Sequence, residues 1–184
     1  MTWDSYHRRG EVLKAVIDEA NSRRDGTLPT DLPGVAEAFG DETTLVAALQ
    51  MRWRTRLEGS IERALLDEPS EPESAVLTAW CRNATELTGV REILDACAEK
   101  PRSESMADTL RRARDADWAL LAAMAGAASA SDPRAAAVGR GIEQRARALY
   151  RPSATRAVTS PRHRAPGEVP HASLLSRLRA RLAA

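Results

Sequence analysis

Apolar residues recur along most of the chain at intervals of three and four, a spacing that places them on one face of an α-helix. The first such segment contains Val12, Leu13, Val16, Ile17 and Ala20. We therefore predict a helix over residues 5–24, with Asp4 or Ser5 as its N-cap and Asp25-Gly26 as its stop.

A loop and one short helical turn follow. Because Pro29 and Pro33 each fix φ and remove a backbone donor, residues 27–33 are predicted to form a loop. Residues 35–39 then form a short turn of helix, which Gly40 ends.

The longest predicted helix covers residues 42–67, with Asp41 as its N-cap. Its main apolar residues repeat every four positions: Leu45, Leu49, Trp53, Leu57, Ile61 and Leu65. A step of four residues exceeds the 3.6-residue turn by about 40°, so the apolar stripe winds around the helix. We expect this helix to contact several neighbours and to lie at the centre of a bundle.

Two helices are predicted in the next stretch. Ser70 and Glu73 have the spacing of a capping box for the first helix, which continues through Val76, Ala79, Trp80 and Leu87. Thr88-Gly89 separates it from a shorter helix that Pro101 closes. The apolar residues of this shorter helix are Val90, Ile93, Leu94 and Cys97.

The last two helices of the body are predicted over residues 104–130 and 133–150. Ser103 or Ser105 caps the first, and Asp132-Pro133 opens the second. Residues 118–128 are apolar on every side of the helix. Such a segment must be surrounded by protein, either within the fold or at a subunit interface.

These patterns predict an all-α fold, a bundle of six to seven helices, because no strand-like alternation occurs. Residues 1–151 form the helical domain, residues 152–170 a flexible linker, and residues 171–184 a short basic amphipathic helix. Aromatic residues make up only 4% of the chain and alanine is abundant, which favours helices that pack closely.

Composition argues against several classes of site. Cys81 and Cys97 lie 16 positions apart without a Cys-x-x-Cys motif, so we expect reduced thiols in the core. His7, His163 and His171 have no carboxylate or cysteine at the spacing of a metal site or a general-base pair. We therefore predict a non-enzymatic protein without cofactor or metal.

The sequence also bears on location. No stretch reaches the ~18–20 apolar residues that span a bilayer, and the N-terminus lacks the pattern of a signal peptide. We expect a cytoplasmic protein with no transmembrane segment.

The charge of the chain changes sign near Pro152. Residues 1–151 carry 21 Lys and Arg against 25 Asp and Glu, whereas residues 152–184 carry 6 against 1. The tail ends in an apolar stripe flanked by arginines, formed by Leu174, Leu175, Leu178 and Leu182 with Arg177, Arg179 and Arg181. So short a helix is marginal alone. We expect it to dock on its own acidic body, in the groove of a partner protein, or on an anionic membrane surface.

Residues 39–48, with the sequence Phe-Gly-Asp-Glu-Thr-Thr-Leu-Val-Ala-Ala, resemble the segment that opens the fourth helix of TetR-type transcriptional regulators. The order of helices after it is also similar, up to the apolar run 120–128 and Asp132-Pro133. The resemblance covers roughly residues 10–150. It implies a helical body with a ligand pocket, a homodimer, and an N-terminal helix-turn-helix that reads operator DNA.

The chain departs from that family before Phe39. The family has two further helices there, whereas this chain has a loop and one short turn. Alternatively, residues 35–40 align with the core of a helix-turn-helix, and the recognition helix then begins at Thr43. Residues 43–49 would present apolar side chains where base edges require Arg, Asn or Gln. DNA binding is therefore not favoured, and the acidic body points the same way.

Asp117 is the carboxylate of most interest in the body, because Met106, Leu110, Ala113, Leu120, Leu121 and Met124 lie on its side of the helix. It is either exposed at a rim or a polar anchor in an apolar pocket. We predict a candidate ligand pocket formed by Trp80, Asp117, Leu121 and Met124, with plain core packing as the alternative.

Two arginine clusters are interpreted as solvated helix faces. Arg52, Arg54 and Arg56 are followed at once by Glu58 and Glu62, which favours ion pairs over a nucleic-acid surface. The second cluster lies among acidic residues that suit local ion pairs, and it contains Arg111, Arg112 and Arg114 with Asp108, Asp115 and Asp117.

The leading functional hypothesis is a regulatory or adaptor protein that acts through protein contacts. Its predicted partner-binding residues lie in the C-terminal segment: Leu174, Leu175, Leu178, Leu182, Arg177 and Arg181. The alternative is a ligand-responsive TetR-type repressor with a shortened DNA-binding head.

Overall fold

The computed structural model describes residues 3–151 of the chain. These residues contain seven α-helices and no strand. The all-α prediction of six to seven helices is confirmed. The helices are α1 (Trp3–Arg23), α2 (Val35–Phe39), α3 (Glu42–Asp67), α4 (Pro72–Glu86), α5 (Thr88–Glu99), α6 (Glu104–Met124) and α7 (Ala135–Leu149). The predicted linker 152–170 and C-terminal helix 171–184 lie outside the described residues.

Helix α3 lies at the centre of the bundle, as its four-residue repeat predicts. It packs against α1, α2, α4, α5 and α6. Five of the six stripe residues are buried, and Leu65 is half-buried. The carboxylate of Asp41 accepts a hydrogen bond of 2.8 Å from the backbone N–H of Thr44, which confirms the predicted N-cap.

The beginnings of two other helices differ from the prediction. Helix α1 begins at Trp3, so Asp4 and Ser5 lie within the helix and neither is its N-cap. The capping box at Ser70 and Glu73 is also wrong, because Glu71 is the N-cap of α4 and makes no side-chain capping bond. Pro72 starts α4 instead, since its fixed φ suits the first turn and its missing N–H needs no partner there.

The boundary between α4 and α5 is sharper than predicted. Thr88 and Gly89 belong to the first turn of α5, and only Leu87 separates the two helices. The hydroxyl of Thr88 donates to the carbonyl oxygen of Ala84 at 2.9 Å, within the last turn of α4. This bond holds the two helix ends together across a single residue.

Helix α6 ends at Met124, six residues before the predicted end at residue 130. Gly126 has a φ of 67°, a left-handed conformation that glycine adopts without strain. The backbone N–H of Ala127 then donates to the carbonyl of Ala122 at 2.9 Å and closes the helix.

The early end of α6 changes the surroundings of the apolar run 118–128. Only Leu121, Ala122 and Ala125 are buried in it, so the fold does not enclose this run on every side. Placement of the run at a subunit interface stays a prediction.

Helix α7 begins two residues later than predicted. Asp132 accepts a 2.8 Å hydrogen bond from the backbone N–H of Arg134, and Ala135 is the first helical residue. In the described part of the chain, no helix has the length and apolar character needed to cross a membrane.

Candidate functional site

A buried polar cluster joins α3 to α6. Asp117 is only 7% exposed, and it accepts a hydrogen bond of 2.6 Å from the side-chain amide of Gln50. The guanidinium of Arg54 lies 3.2 Å from the other carboxylate oxygen and also binds Glu58 at 2.9 Å. Of the two alternatives for Asp117, exposure at a rim is therefore wrong, and the residue is a polar anchor between two helices.

The environment of Asp117 makes its charged form costly. Burial raises its pKa from 3.8 to about 6, although the charge of Arg54 and the hydrogen bond from Gln50 act in the opposite direction. Removal from water therefore outweighs the stabilisation by its two partners.

Asp117 borders a small internal cavity. The lining consists of Gln50, Trp53, Leu57, Trp80, Arg91, Leu94, Leu110, Arg114, Asp117, Leu121 and Glu143. The cavity has a volume of about 10 Å³, which is about what one water molecule needs. An organic ligand needs far more space.

The structure brings together three of the four residues of the predicted ligand pocket. Trp80, Asp117 and Leu121 line this cavity, whereas Met124 is not part of its wall. Trp80 also packs edge-on against Trp53 with ring centroids 5.8 Å apart. Ligand binding at this place stays a prediction, and it requires side chains to move.

Arg91 lies beside the same cavity with an incomplete set of partners. Its guanidinium is 4.7 Å from the ring centroid of Trp53 and makes a 3.0 Å ion pair with Asp95. Its side chain is 12% exposed, and its buried Nε has no hydrogen-bond partner. Burial lowers the pKa of Arg91, an effect that Asp95 opposes and that the nearby charge of Arg147 increases.

An ion-pair network ties α5 to α7. Arg147 forms two parallel hydrogen bonds with the carboxylate of Asp95, at 2.8 and 2.9 Å, and also bonds Glu143 at 2.7 Å. Glu143 in turn accepts a hydrogen bond from the indole N–H of Trp118. Burial disfavours the charge of Arg147, but these bonds outweigh it and raise its pKa.

A surface groove, here called the Trp118 groove, runs between α5, α6 and α7. One lobe of about 280 Å³ is lined by Ala98, Ala107, Leu110, Arg111, Arg114, Asp115 and Trp118. A second lobe of about 280 Å³ is lined by Asp95, Arg114, Trp118, Arg140, Glu143, Gln144 and Arg147. Arg114 and Trp118 belong to both lobes, so the two lobes adjoin at these residues.

A second and more apolar depression, here called the α1/α3 groove, lies on another face. It encloses about 460 Å³ and is lined by Arg9, Leu13, Thr44, Ala47, Ala48, Met51, Arg52 and Thr55. Met51 is 63% exposed there. An adjoining depression of about 450 Å³ shares Leu13 and Arg52 with it and extends along α1 past Lys14, Ile17 and Asp18 to Arg56 and Glu86.

The structure shows some of the ion pairs predicted for the two arginine clusters. Arg111 pairs with Asp108 at 2.6 Å, and Arg56 pairs with Glu86. Arg54 differs, because it turns inward to Asp117 while also binding Glu58. The helical spacing of Arg54 and Glu58 is visible in the sequence, whereas the approach of Asp117 across 63 positions is not.

The helix-turn-helix alignment of residues 35–49 stays a prediction. The segment from Thr43 onward is the start of the central helix α3, and Leu45, Val46 and Leu49 in it are fully buried. These three side chains pack inside the bundle, and DNA binding by this segment is not favoured on the sequence grounds given above. The predicted partner-binding residues 174–182, and also His163 and His171, lie outside the described residues.

The remaining kind of site to consider is a metal site. Residues 3–151 contain no group of three or more His, Cys, Asp and Glu side chains that is arranged to hold a metal ion. Comparison with known proteins gives no match, since no family model, curated protein or solved structure is significantly similar to this chain.

Proposed function

We propose that this chain is a non-enzymatic regulatory or adaptor protein that acts through protein contacts, with the α1/α3 groove as a contact surface. The observation that carries the proposal is an exposed apolar surface between two helices, α1 and α3. Leu13, Ala47, Ala48 and Met51 face this groove, and the adjoining depression adds Ile17. An exposed apolar groove of this kind is typical of a binding site for another protein.

The charges around the groove favour an acidic partner. Its rim and the adjoining depression carry Arg9, Lys14, Arg52 and Arg56, against Asp18 and Glu86. Glu86 and Arg56 pair with each other, which leaves Arg9, Lys14 and Arg52 against Asp18. An amphipathic helix with apolar residues on one face and acidic residues beside them matches both the apolar floor and the basic rim.

The interior supports a role without catalysis. Asp117 is the carboxyl with the raised pKa of about 6, and Gln50 and Arg54 occupy its two oxygen atoms. A carboxylate whose two oxygen atoms are both bonded in this way links α6 to α3. The C-terminal segment, with Leu174, Leu178 and Leu182, is a second contact element of the proposal on sequence grounds alone, and a TetR-type repressor remains the alternative from the sequence.

Site-specific photocrosslinking tests the groove in the full-length chain. A photoreactive amino acid replaces Met51 inside the groove or Leu66 outside it. Both residues are exposed apolar side chains of α3, and Leu66 is 82% exposed. We expect a crosslinked partner from position 51 and none from position 66. Mass spectrometry should place the crosslink in an acidic amphipathic helix of the partner.

Charge substitutions provide the matched control. Met51→Glu places a carboxylate in the groove and should abolish binding of the partner that the crosslink identified. Leu66→Glu should leave this binding intact. Equal capture by Met51→Glu and by the unchanged protein contradicts the proposal. A crosslink from position 51 to a second copy of this chain contradicts it as well, because that result assigns the groove to a homodimer.

A further inference from the structure

The acidic and the basic residues of the Trp118 groove differ in whether they have partners within the fold. Asp95 and Glu143 are both engaged, because Arg147 bonds to both of them at 2.7 to 2.9 Å. Arg91 and the indole of Trp118 use further acceptor positions on these carboxylates. The two acidic groups of the second lobe are therefore engaged with partners within the fold.

Arg114 and Arg140 lack such partners. Their guanidinium carbons lie 5.9 and 5.7 Å from the ring centroid of Trp118, so both cations flank the same indole. Within residues 3–151, neither arginine has a carboxylate at ion-pair distance. Asp115 also lies at the edge of the first lobe and is exposed to solvent, where its charge is screened.

A third arginine lies close to the groove without lining it. Arg91 lines the internal cavity together with Arg114, and its buried Nε has no hydrogen-bond partner. A buried donor without an acceptor is rare in folded proteins. An anion in the second lobe would neutralise Arg114 and Arg140 and would offset the repulsion between Arg114 and Arg91.

The first lobe supplies apolar contact next to these donors. Ala98, Ala107, Leu110 and the ring of Trp118 form its wall, directly beside Arg114. We infer that the Trp118 groove binds a small organic anion, with its carboxylate in the lobe that Arg114 and Arg140 line and its apolar body in the adjoining lobe beside Ala98 and Leu110. This site is separate from the α1/α3 groove and gives the protein a ligand as well as a partner.

Calorimetric titration of the full-length chain with 4-phenylbutyrate tests this inference. We expect saturable binding of one molecule per chain. Arg114→Gln and Arg140→Gln should each weaken binding by about tenfold, because each removes a charged hydrogen-bond donor. Arg112→Gln is the matched control, since Arg112 is an exposed arginine of the same helix outside the groove, and it should bind as the unchanged protein does.

Two further ligands separate the contributions. The neutral 4-phenylbutyramide has the same apolar body, and inorganic phosphate has the charge without that body. Both should bind at least about tenfold more weakly than 4-phenylbutyrate. The inference is overturned by amide or phosphate binding as tight as that of 4-phenylbutyrate, by unchanged affinity in both glutamine variants, or by no saturable binding at all. Circular dichroism of each variant excludes unfolding as the cause of a loss, and Arg140 is exposed enough for its variant to keep the fold.

Discussion

Gly139 of α7 lies directly against the backbone of Trp118 in α6. A Cβ atom on Gly139 would stand 1.7 Å from the carbonyl oxygen of Trp118, so any side chain there forces the two helices apart. Arg140, the next residue, has its guanidinium carbon 5.7 Å from the ring centroid of Trp118. The close contact between α6 and α7 at this point therefore requires a residue without a side chain.

The first prediction compares two glycines of α7. Gly139→Ala should lower the free energy of unfolding by at least about 2 kcal/mol, because the clash is with backbone that has no alternative rotamer. Gly141→Ala should raise it by up to about 1 kcal/mol through helix propensity. A Cβ on Gly141 would meet only the end of the Arg145 side chain, at 3.6 Å. Urea denaturation of both variants measures the difference, and equal stability would refute the close packing.

The second prediction concerns pH and Asp117. Its pKa in the folded protein is about 6, above the ordinary value of 3.8, so the native state binds this proton more tightly than the unfolded state. The contribution of Asp117 to stability therefore falls as the pH rises from about 4 to about 6. The difference between a pKa of 3.8 and one of about 6 corresponds to a loss of up to about 3 kcal/mol in the free energy of unfolding.

Asp117→Asn isolates this effect, because the amide keeps the shape of the side chain and does not titrate. The free energy of unfolding of the variant, relative to the unchanged protein, should increase between pH 4 and pH 7. An NMR titration of the Asp117 carboxyl carbon gives the midpoint directly. A midpoint at or below 4 would show that Arg54 and Gln50 outweigh burial.

The third prediction compares two arginines of α7. Arg147→Ala should cost about 1–2 kcal/mol, a figure reduced for solvent screening because more than a third of the side chain is exposed. Arg147 binds Asp95 with both arms of its fork and also stacks 5.2 Å from the ring of Trp80. Arg145 makes one exposed pair with Glu73, so Arg145→Ala should change stability by less than about 0.5 kcal/mol.

The charge-preserving variant Arg147→Lys refines that comparison. Lysine cannot form two parallel bonds to one carboxylate, so it should recover only part of the lost stability. Full recovery by lysine would mean that charge alone, without the bidentate geometry, stabilises the contact between α5 and α7. Denaturation at low and at high salt separates the two contributions.

The fourth prediction concerns the two cysteines. Burial raises the pKa of both thiols, and at Cys97 this effect exceeds the opposing charge of Arg102. The thiolate is the reactive form, so both should react with Ellman's reagent at least about tenfold more slowly in the native protein than in guanidinium. Cys97 is buried and Cys81 half-buried, so Cys81 should react first. Fast native labelling of Cys97 would contradict its place in the core.

Much of the secondary structure could be predicted from local pattern. The bounds of α2 and α3 match because Gly40 and Asp41 are strong local signals, and the repeat from Leu45 to Leu65 continues without interruption. The end of α6 was predicted too late, although Gly126 is a local stop signal of the same kind as Gly40. Alanine favours the helix on both sides of Gly126, and the actual stop is a closing hydrogen bond from Ala127 to Ala122 that the sequence pattern does not specify.

The chain by itself determined that residues 3–151 form packed helices and that α3 is central, because the period of apolar residues is a local property of the sequence. Only the tertiary structure decided that Asp117 is buried against Gln50 and Arg54, and that Arg114 and Arg140 flank Trp118 without a carboxylate partner. These relationships join residues that are far apart in the chain. Their burial and pairing depend on how closely the helices approach, and that distance is set by contacts such as Gly139 against Trp118.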